Sequence, residues 1–353
     1  MLDRKTIQNT MDALAIKRWG IISMDQKTRA YLKERGHFSV PNSVLTYDEA
    51  SEYSILTIAI PYALEGDEKP KGHFWGEIDP YAWEYDYHVK VKALLAQVWT
   101  ALNPQRDALD DSLCDAHVEA PSMYVDNTPF NDREVAFLCG MGLIGYNHLL
   151  IEEASALGTA FFIGYMLIPS EVEICEDAKF DVTTLPQEVE NPFCKTCQKC
   201  VKACPTGVCG DASANMNLCM SAISQTKAHI QEPFRLKMKD KIYGCNICQK
   251  VCPFNASNVL TYDSKARERN WVDLLKLLEL NTKSFKQQYG HMGFAWKSLW
   301  IYKRNALIVL GNQGGREELE YLLTHAQNFN QEPLLEYYKF ATNRMQARLS
   351  VEK

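Results

Sequence analysis

The sequence predicts an α+β fold in three parts: a mixed α/β N-terminal part, a small cysteine-rich middle and a short all-helical C-terminal region. Three observations carry this reading. Short apolar runs alternate with amphipathic stretches as far as residue 169, nine of the 12 cysteines fall between residues 194 and 252, and apolar residues beyond Asn255 recur at helical spacing. At 353 residues the chain is long enough for two or three domains.

In order, residues 6–18 place Ile7, Met11, Leu14 and Ala15 on one helical face. Residues 21–24 and 54–61 are apolar runs of strand length, and residues 86–102 have a helical period ending near Pro104. A strand over 122–125 runs into Asp126-Asn127-Thr128-Pro129, a turn sequence. Asp132 starts a short helix that Gly140 can stop, and residues 159–168 read as a buried strand. Residues 171–192 are polar, contain Pro186 and Pro192, and form a connector. Helices are expected over 271–280, 302–310 and 317–326, with residues 311–315 breaking the last two apart. The domain boundaries follow as 1–185, 186–260 and 261–353.

Composition is ordinary for a globular protein, at 46% hydrophobic and 23% charged residues. The net charge of −6 does not by itself predict a nucleic-acid partner. Its distribution is more informative: Arg235 to Arg304 carries 14 Lys and Arg against 5 Asp and Glu, a local +9 that leaves −15 for the rest. Such a stretch suits either a localised anionic partner or Lys-rich solvated helix faces. The N-terminus lacks the charge and apolar pattern of a signal peptide, and the apolar run over 160–169 is too short to span a bilayer. A monomeric, cytoplasmic protein without membrane contact is expected, and in that reducing compartment 12 cysteines point to metal ligation rather than disulfides.

Their spacing supports this. Cys194, Cys197, Cys200 and Cys204-Pro205 form CxxCxxCxxxCP, the pattern of bacterial ferredoxins with two clusters. Cys245, Cys248 and Cys252-Pro253 repeat it less one cysteine, which Cys219 can supply. In such pairs the cysteine beside proline ligates the other cube. That assigns Cys194, Cys197, Cys200 and Cys252 to one 4Fe-4S cluster, and Cys204, Cys219, Cys245 and Cys248 to the second. Paired zinc sites would tolerate the CxxC pairs, but the three-residue gap before Cys-Pro, used twice, is not a zinc habit. Cys114, Cys139, Cys175 and Cys209 fit neither run and read as small buried apolar residues. Two neighbouring clusters make an electron relay, so the N-terminal domain must hold what receives the electrons.

A further ordered set of motifs surrounds the cysteines. It comprises Asp86-Tyr87-His88, Val125-Asp126, Asp132-Arg133, Gly142-Leu143-Ile144-Gly145-Tyr146-Asn147 and the strand from Gly158 to Gly164. Tyr243-Gly244 precedes the second cysteine run, Pro253-Phe254-Asn255 closes it, and Arg304-Asn305-Ala306 and Leu310-Gly311-Asn312 follow. The whole order resembles the epoxyqueuosine reductase family, over nearly the full chain. The resemblance implies a cobalamin in the N-terminal domain, two 4Fe-4S clusters that reduce it, and a HEAT-like helical C-terminal region. The implied reaction is deoxygenation of epoxyqueuosine to queuosine in tRNA, drawing two electrons and two protons and releasing water. The electron donor is not identified by the sequence.

The resemblance also implies site residues. Asp126 matches the family's acid and Arg133 an active-site arginine, while Asn147, Gly158 and Thr159 match the region lining the cofactor. To donate a proton near neutrality, Asp126 would need a desolvated site that raises it from about 3.9. Read alone, Asp126 is better explained as a turn or capping residue before Pro129, and His88 as a packed or surface histidine, and only the resemblance reverses this for Asp126. The basic stretch would hold an anticodon arm through Lys297, Lys303 and Arg304, with Trp296 or Trp300 as stacking surfaces or as core. Tyr146 stands where the family usually has lysine, Met141 where it has glycine and Thr159 where it has serine. These departures keep two alternatives open: a related corrinoid reductase acting on a small molecule, and a non-catalytic electron-transfer partner.

Overall fold

The structure, a computed structural model, describes residues 2–35, 53–72, 74–103, 121–126, 131–169, 172–185, 190–211, 213–257 and 270–351. Cys114 and residues 127–130 of the expected turn lie outside the described residues. The chain divides into two compact units. The first comprises Met1–Tyr62, Tyr87–Gln198 and Pro253–Asn258, and the second Ala63–Asp86, Lys199–Cys252 and Val259–Lys353.

The first unit is built on an antiparallel sheet in the order Arg18–Ser23, Tyr53–Pro61, Phe161–Pro169, Ser122–Tyr124. Register is fixed by pairs such as Ile21 with Leu56 and Thr57 with Tyr165. Alternate residues feed two cores. Ile21, Leu56, Ile58, Met166 and Ile168 face Ile7, Met11, Val91, Leu95 and Val98 from the helices Arg4–Ala13 and Tyr87–Leu102. Ile22, Ile55, Ala59, Tyr165 and Leu167 face Val135, Ala136, Phe137 and Leu138 of the helix Asp132–Leu138. Helices on both faces explain why the two central strands read as continuous apolar runs. Asp3 caps the first helix by accepting from the Thr6 amide at 2.6 Å, and Asn131 caps Asp132–Leu138 by accepting from the Arg133 amide at 3.2 Å.

The second unit has a small sheet in the order Lys241–Tyr243, Trp75–Ile78, Trp271–Asp273, with parallel and antiparallel pairings respectively. Its core is the helix Leu299–Gln313, buried along most of its length and packed on Leu334–Val351. Two expectations are corrected. Residues 271–273 form a strand, and the helix starts at Leu274, where Asp273 accepts from the Leu275 amide at 3.0 Å. Three residues of strand are too few to show a period of two, so the adjoining helical pattern absorbs them. Gly311 lies inside its helix and the break falls at Gly314–Gly315; a Cβ at Gly311 would come within 3.0 Å of Ala341 Cα, so glycine admits the neighbouring helix.

Arg304 and Asn305 tie this helix to the segment between Cys219 and Cys245. Asn305 Nδ2 donates to the Ser224 and Ile242 carbonyls at 2.7 and 2.8 Å, and Arg304 Nη1 to the Thr226 carbonyl at 2.7 Å. Both residues are fully buried. Asn305→Leu strands two buried acceptors and is expected to cost about 2–4 kcal/mol in denaturant unfolding; a loss under about 0.5 kcal/mol would contradict the role.

Asp79 is buried at 1% exposure beside the Glu77–Lys241 ion pair, and its Oδ2 has no hydrogen-bond partner among the described residues. Burial pushes its carboxyl up to about 7, with Lys241 opposing and Glu77 reinforcing the shift. Between about pH 4 and 7 the unfolded chain has lost this proton while the folded chain keeps it. Stability should therefore fall as pH rises through that window, by up to about 1.4 kcal/mol per pH unit. Asp79→Asn should flatten the slope in a pH series of unfolding curves.

Candidate active site and cluster-binding segment

In the first unit, Asp126 follows the edge strand Ser122–Tyr124, and Tyr87 and His88 open the helix Tyr87–Leu102. The sheet brings them together. Tyr87 Oη donates to Asp126 Oδ2, and His88 Nε2 lies 3.4 Å from the same oxygen. Tyr87 stacks at 4.0 Å on Phe162 of the central strand and at 4.2 Å on His88, which fixes both donors. Asp126 itself sits at φ +46°, a left-handed conformation that aspartate tolerates better than most residues.

The expectation of a proton kept on Asp126 by burial is not met. The carboxylate is half exposed. Desolvation pushes its pKa up, but hydrogen bonds from His88 and Tyr87 and the charges of His88 and Arg133 outweigh it, and Asp126 lies below the ordinary carboxylate value of 3.8. At neutral pH it is an anion that accepts hydrogen bonds from its neighbours. His88, read from the sequence as bland, is therefore part of this group. Its sequence signals are its place directly after Tyr87 at a helix start and its membership of the Asp86-Tyr87-His88 motif.

Arg133, in the first turn of Asp132–Leu138, donates to the carbonyl of His148. His148 has φ +60° and closes the hairpin between Leu143–Ile144 and Leu150–Ile151. Asn147 stands in that turn at 6% exposure; its Oδ1 accepts from the Leu149 amide at 3.3 Å, while its buried Nδ2 has no hydrogen-bond partner among the described residues. Tyr146 is half-buried beside it. Gly158 adopts φ +61° and a Cβ there would come within 2.1 Å of Asn255 Oδ1, so its neighbour is the Pro253–Asn255 turn. Asn255 clamps the adjoining residue, accepting from the Thr159 amide at 2.7 Å and donating to the Thr159 hydroxyl at 2.9 Å.

The cysteines lie on short helical turns. Cys194–Cys197 is one such turn in the first unit. In the second unit the helix Lys199–Ala203, which carries Cys200, packs on Ile247–Lys250, which carries Cys248. Burial raises the Cys204 thiol pKa, but the Thr206 hydroxyl and the amides of Thr206, Cys209 and Val208 bring it down to about 7, favouring the thiolate that ligates iron. Cys219 caps the helix Met220–Gln225 and lies within electrostatic reach of Cys245. Among the described residues no three Cys, His, Asp or Glu side chains gather as they would around a single ion. Cys139 and Cys209 are buried as expected, although the Cys209 thiol also contacts those of Cys200 and Cys248. Cys175 is partly exposed, at the cap of a 3-10 turn, and so departs from the buried reading.

Two further expectations change. Arg304 is buried on backbone carbonyls and is not available to phosphate. Trp296 is 56% exposed and is not core, while Trp300 is half-buried. No described helix is long and apolar enough to cross a membrane.

Residues 193–255, which contain all eight assigned ligands, match the family described as a 4Fe-4S double cluster binding domain. The epoxyqueuosine reductase of Listeria monocytogenes is 31% identical over 285 residues, covering 78% of this chain and 68% of that relative. The chain belongs to the epoxyqueuosine reductase family. The epoxyqueuosine reductase of Lactococcus garvieae is 28% identical over 299 residues, covering 83% of this chain and 78% of that one. The structure of epoxyqueuosine reductase from Streptococcus thermophilus superposes with a TM-score of 0.75 at 27% identity, over 97% of this chain and 90% of that chain. A crystal structure of epoxyqueuosine reductase with an epoxyqueuosine-modified tRNA-Tyr stem loop shares the fold at a TM-score of 0.72 and 22% identity, over 97% and 89%. As an epoxyqueuosine reductase family member, the chain is an oxidoreductase whose cofactors are two 4Fe-4S clusters and cobalamin.

Proposed function

We propose that this chain reduces the epoxide of epoxyqueuosine in tRNA to the alkene of queuosine, consuming two electrons and two protons and releasing water. The observation that carries the reading is identity to an epoxyqueuosine reductase over most of the chain, joined to an eight-cysteine set inside the double-cluster segment. Cobalamin, when bound and reduced through the two clusters, would supply the two electrons of this reduction. Asn147 suits the edge of such a cofactor, because its buried amide donor has no hydrogen-bond partner among the described residues and the corrin rim carries amide acceptors. Arg133 sets the Asn147 turn through the His148 carbonyl, and Thr159 is held in place by Asn255.

The protein's own chemistry is proton supply. The departing epoxide oxygen needs a proton, and the group of Tyr87, His88 and Asp126 holds the donors. Asp126 orients and charge-stabilises His88, and a proton passes through the carboxylate to the substrate oxygen. The cysteine assignment to the two cubes, the HEAT-like character of the C-terminal helices and the three-part domain division belong to the same reading. Expression of the chain in cells lacking their own epoxyqueuosine reductase should restore queuosine to tRNA. Persistent epoxyqueuosine despite soluble, cluster-loaded protein would contradict it.

A further inference from the structure

The second unit holds a cavity of about 790 Å³ that the chemistry above does not use. Its walls include Trp296, Lys297, Trp300 and Lys303, together with Asn281 and Ser298 at the starts of the helices Thr282–Tyr289 and Leu299–Gln313. Trp296 offers a large exposed ring held in place from one edge, since its Nε1 donates to Tyr243 Oη at 2.8 Å. Lys297 Nζ sits 3.5 Å from the centre of that ring. Among the described residues neither Lys297 nor Lys303 makes an ion pair, and the carboxylate in the wall, Glu279, is engaged by Tyr321 Oη at 3.3 Å.

We propose that this cavity is a nucleotide subsite, in which an unpaired nucleotide of an RNA lays its base on Trp296 and its phosphate between Lys297 and Lys303. The inference rests on the proposed tRNA substrate and adds the place and manner of one contact. Three features favour an RNA segment over a small anion. An exposed indole with a cation beside it is a stacking platform for a base, and aromatic stacking is how single-stranded RNA is held. Burial depresses the ammonium pKa of Lys303, and burial together with the charge of nearby Lys227 depresses that of Lys297, so both are short of counter-charge. The cavity lies in the stretch that carries the local +9. The half-buried lysines are already partly desolvated, so a phosphate gains their attraction at reduced cost.

The test is fluorescence anisotropy of a labelled anticodon stem-loop RNA with the full, cluster-reconstituted chain, over a salt series. The double variant Lys297→Gln, Lys303→Gln should weaken binding about tenfold or more at low salt and reduce the log–log salt slope by about 0.7, the value for one phosphate on a single strand. Trp296→Ala should weaken binding at least about fivefold with the slope unchanged, and Trp296→Phe, which keeps a ring but loses the Tyr243 bond, should keep most of the affinity. If the parent protein binds the RNA and all three variants bind with parental affinity and slope, the subsite is wrong and the substrate reading stands. If Trp296→Ala and Trp296→Phe lose affinity equally, the ring acts as structure and the stacking assignment is wrong. If the parent protein does not bind the RNA at all, both readings fall together.

Discussion

Asp126→Asn is expected to lower turnover by about 10²–10⁴-fold while leaving the clusters and cobalamin binding intact. Asparagine has the shape of aspartate and can still accept from Tyr87, but it cannot carry a proton or stabilise a charged His88. The fall should appear in the chemical step, with substrate affinity little changed. Because the Asp126 carboxyl already lies below 3.8, it is ionised throughout the working range. His88→Gln should also lower turnover, because it removes the ring nitrogen that sits 3.4 Å from the same carboxylate oxygen. Parental turnover by Asp126→Asn would dismiss this proton path.

Cys219→Ala is expected to remove one whole cluster, halving the iron per chain and abolishing turnover. Cys219 lies outside both cysteine runs, so this substitution separates the eight-ligand assignment from any reading based on the runs alone. It lies within electrostatic reach of Cys245, as the proposed second set requires. Cys209→Ala is the matched control. That thiol is buried in contact with Cys200 and Cys248, yet the assignment gives it no iron, so full iron should remain. Chemical iron analysis and electron paramagnetic resonance of the reduced protein read both outcomes. A full iron content in Cys219→Ala with loss in Cys209→Ala would exchange their roles.

What the sequence makes legible is local. The cysteine spacing depends only on the geometry of a cube and a short helix, so a double-cluster segment can be read without tertiary information, and the family match over residues 193–255 agrees. The buried strands at 54–61 and 159–168 stand out because both of their faces are covered. The role of His88 is not legible in this way, because Asp126 lies far along the chain and only the sheet order brings the two together. The charge state of Asp126 is equally hidden, since it follows from partners rather than from residue type. Arg304 looks like a surface cation, yet it satisfies carbonyls of the segment between Cys219 and Cys245; composition cannot tell a solvated guanidinium from a buried one. The strand at Trp271–Asp273 is too short to assert its own period.

The most direct test of the account is nucleoside mass spectrometry of epoxyqueuosine-containing tRNA incubated anaerobically with the reconstituted protein, reductant and cobalamin. The account predicts loss of one oxygen atom from the modified base, converting it to queuosine, only when cobalamin and reductant are both present. Unchanged epoxyqueuosine, from protein in which both clusters are reduced and cobalamin is bound, would contradict it.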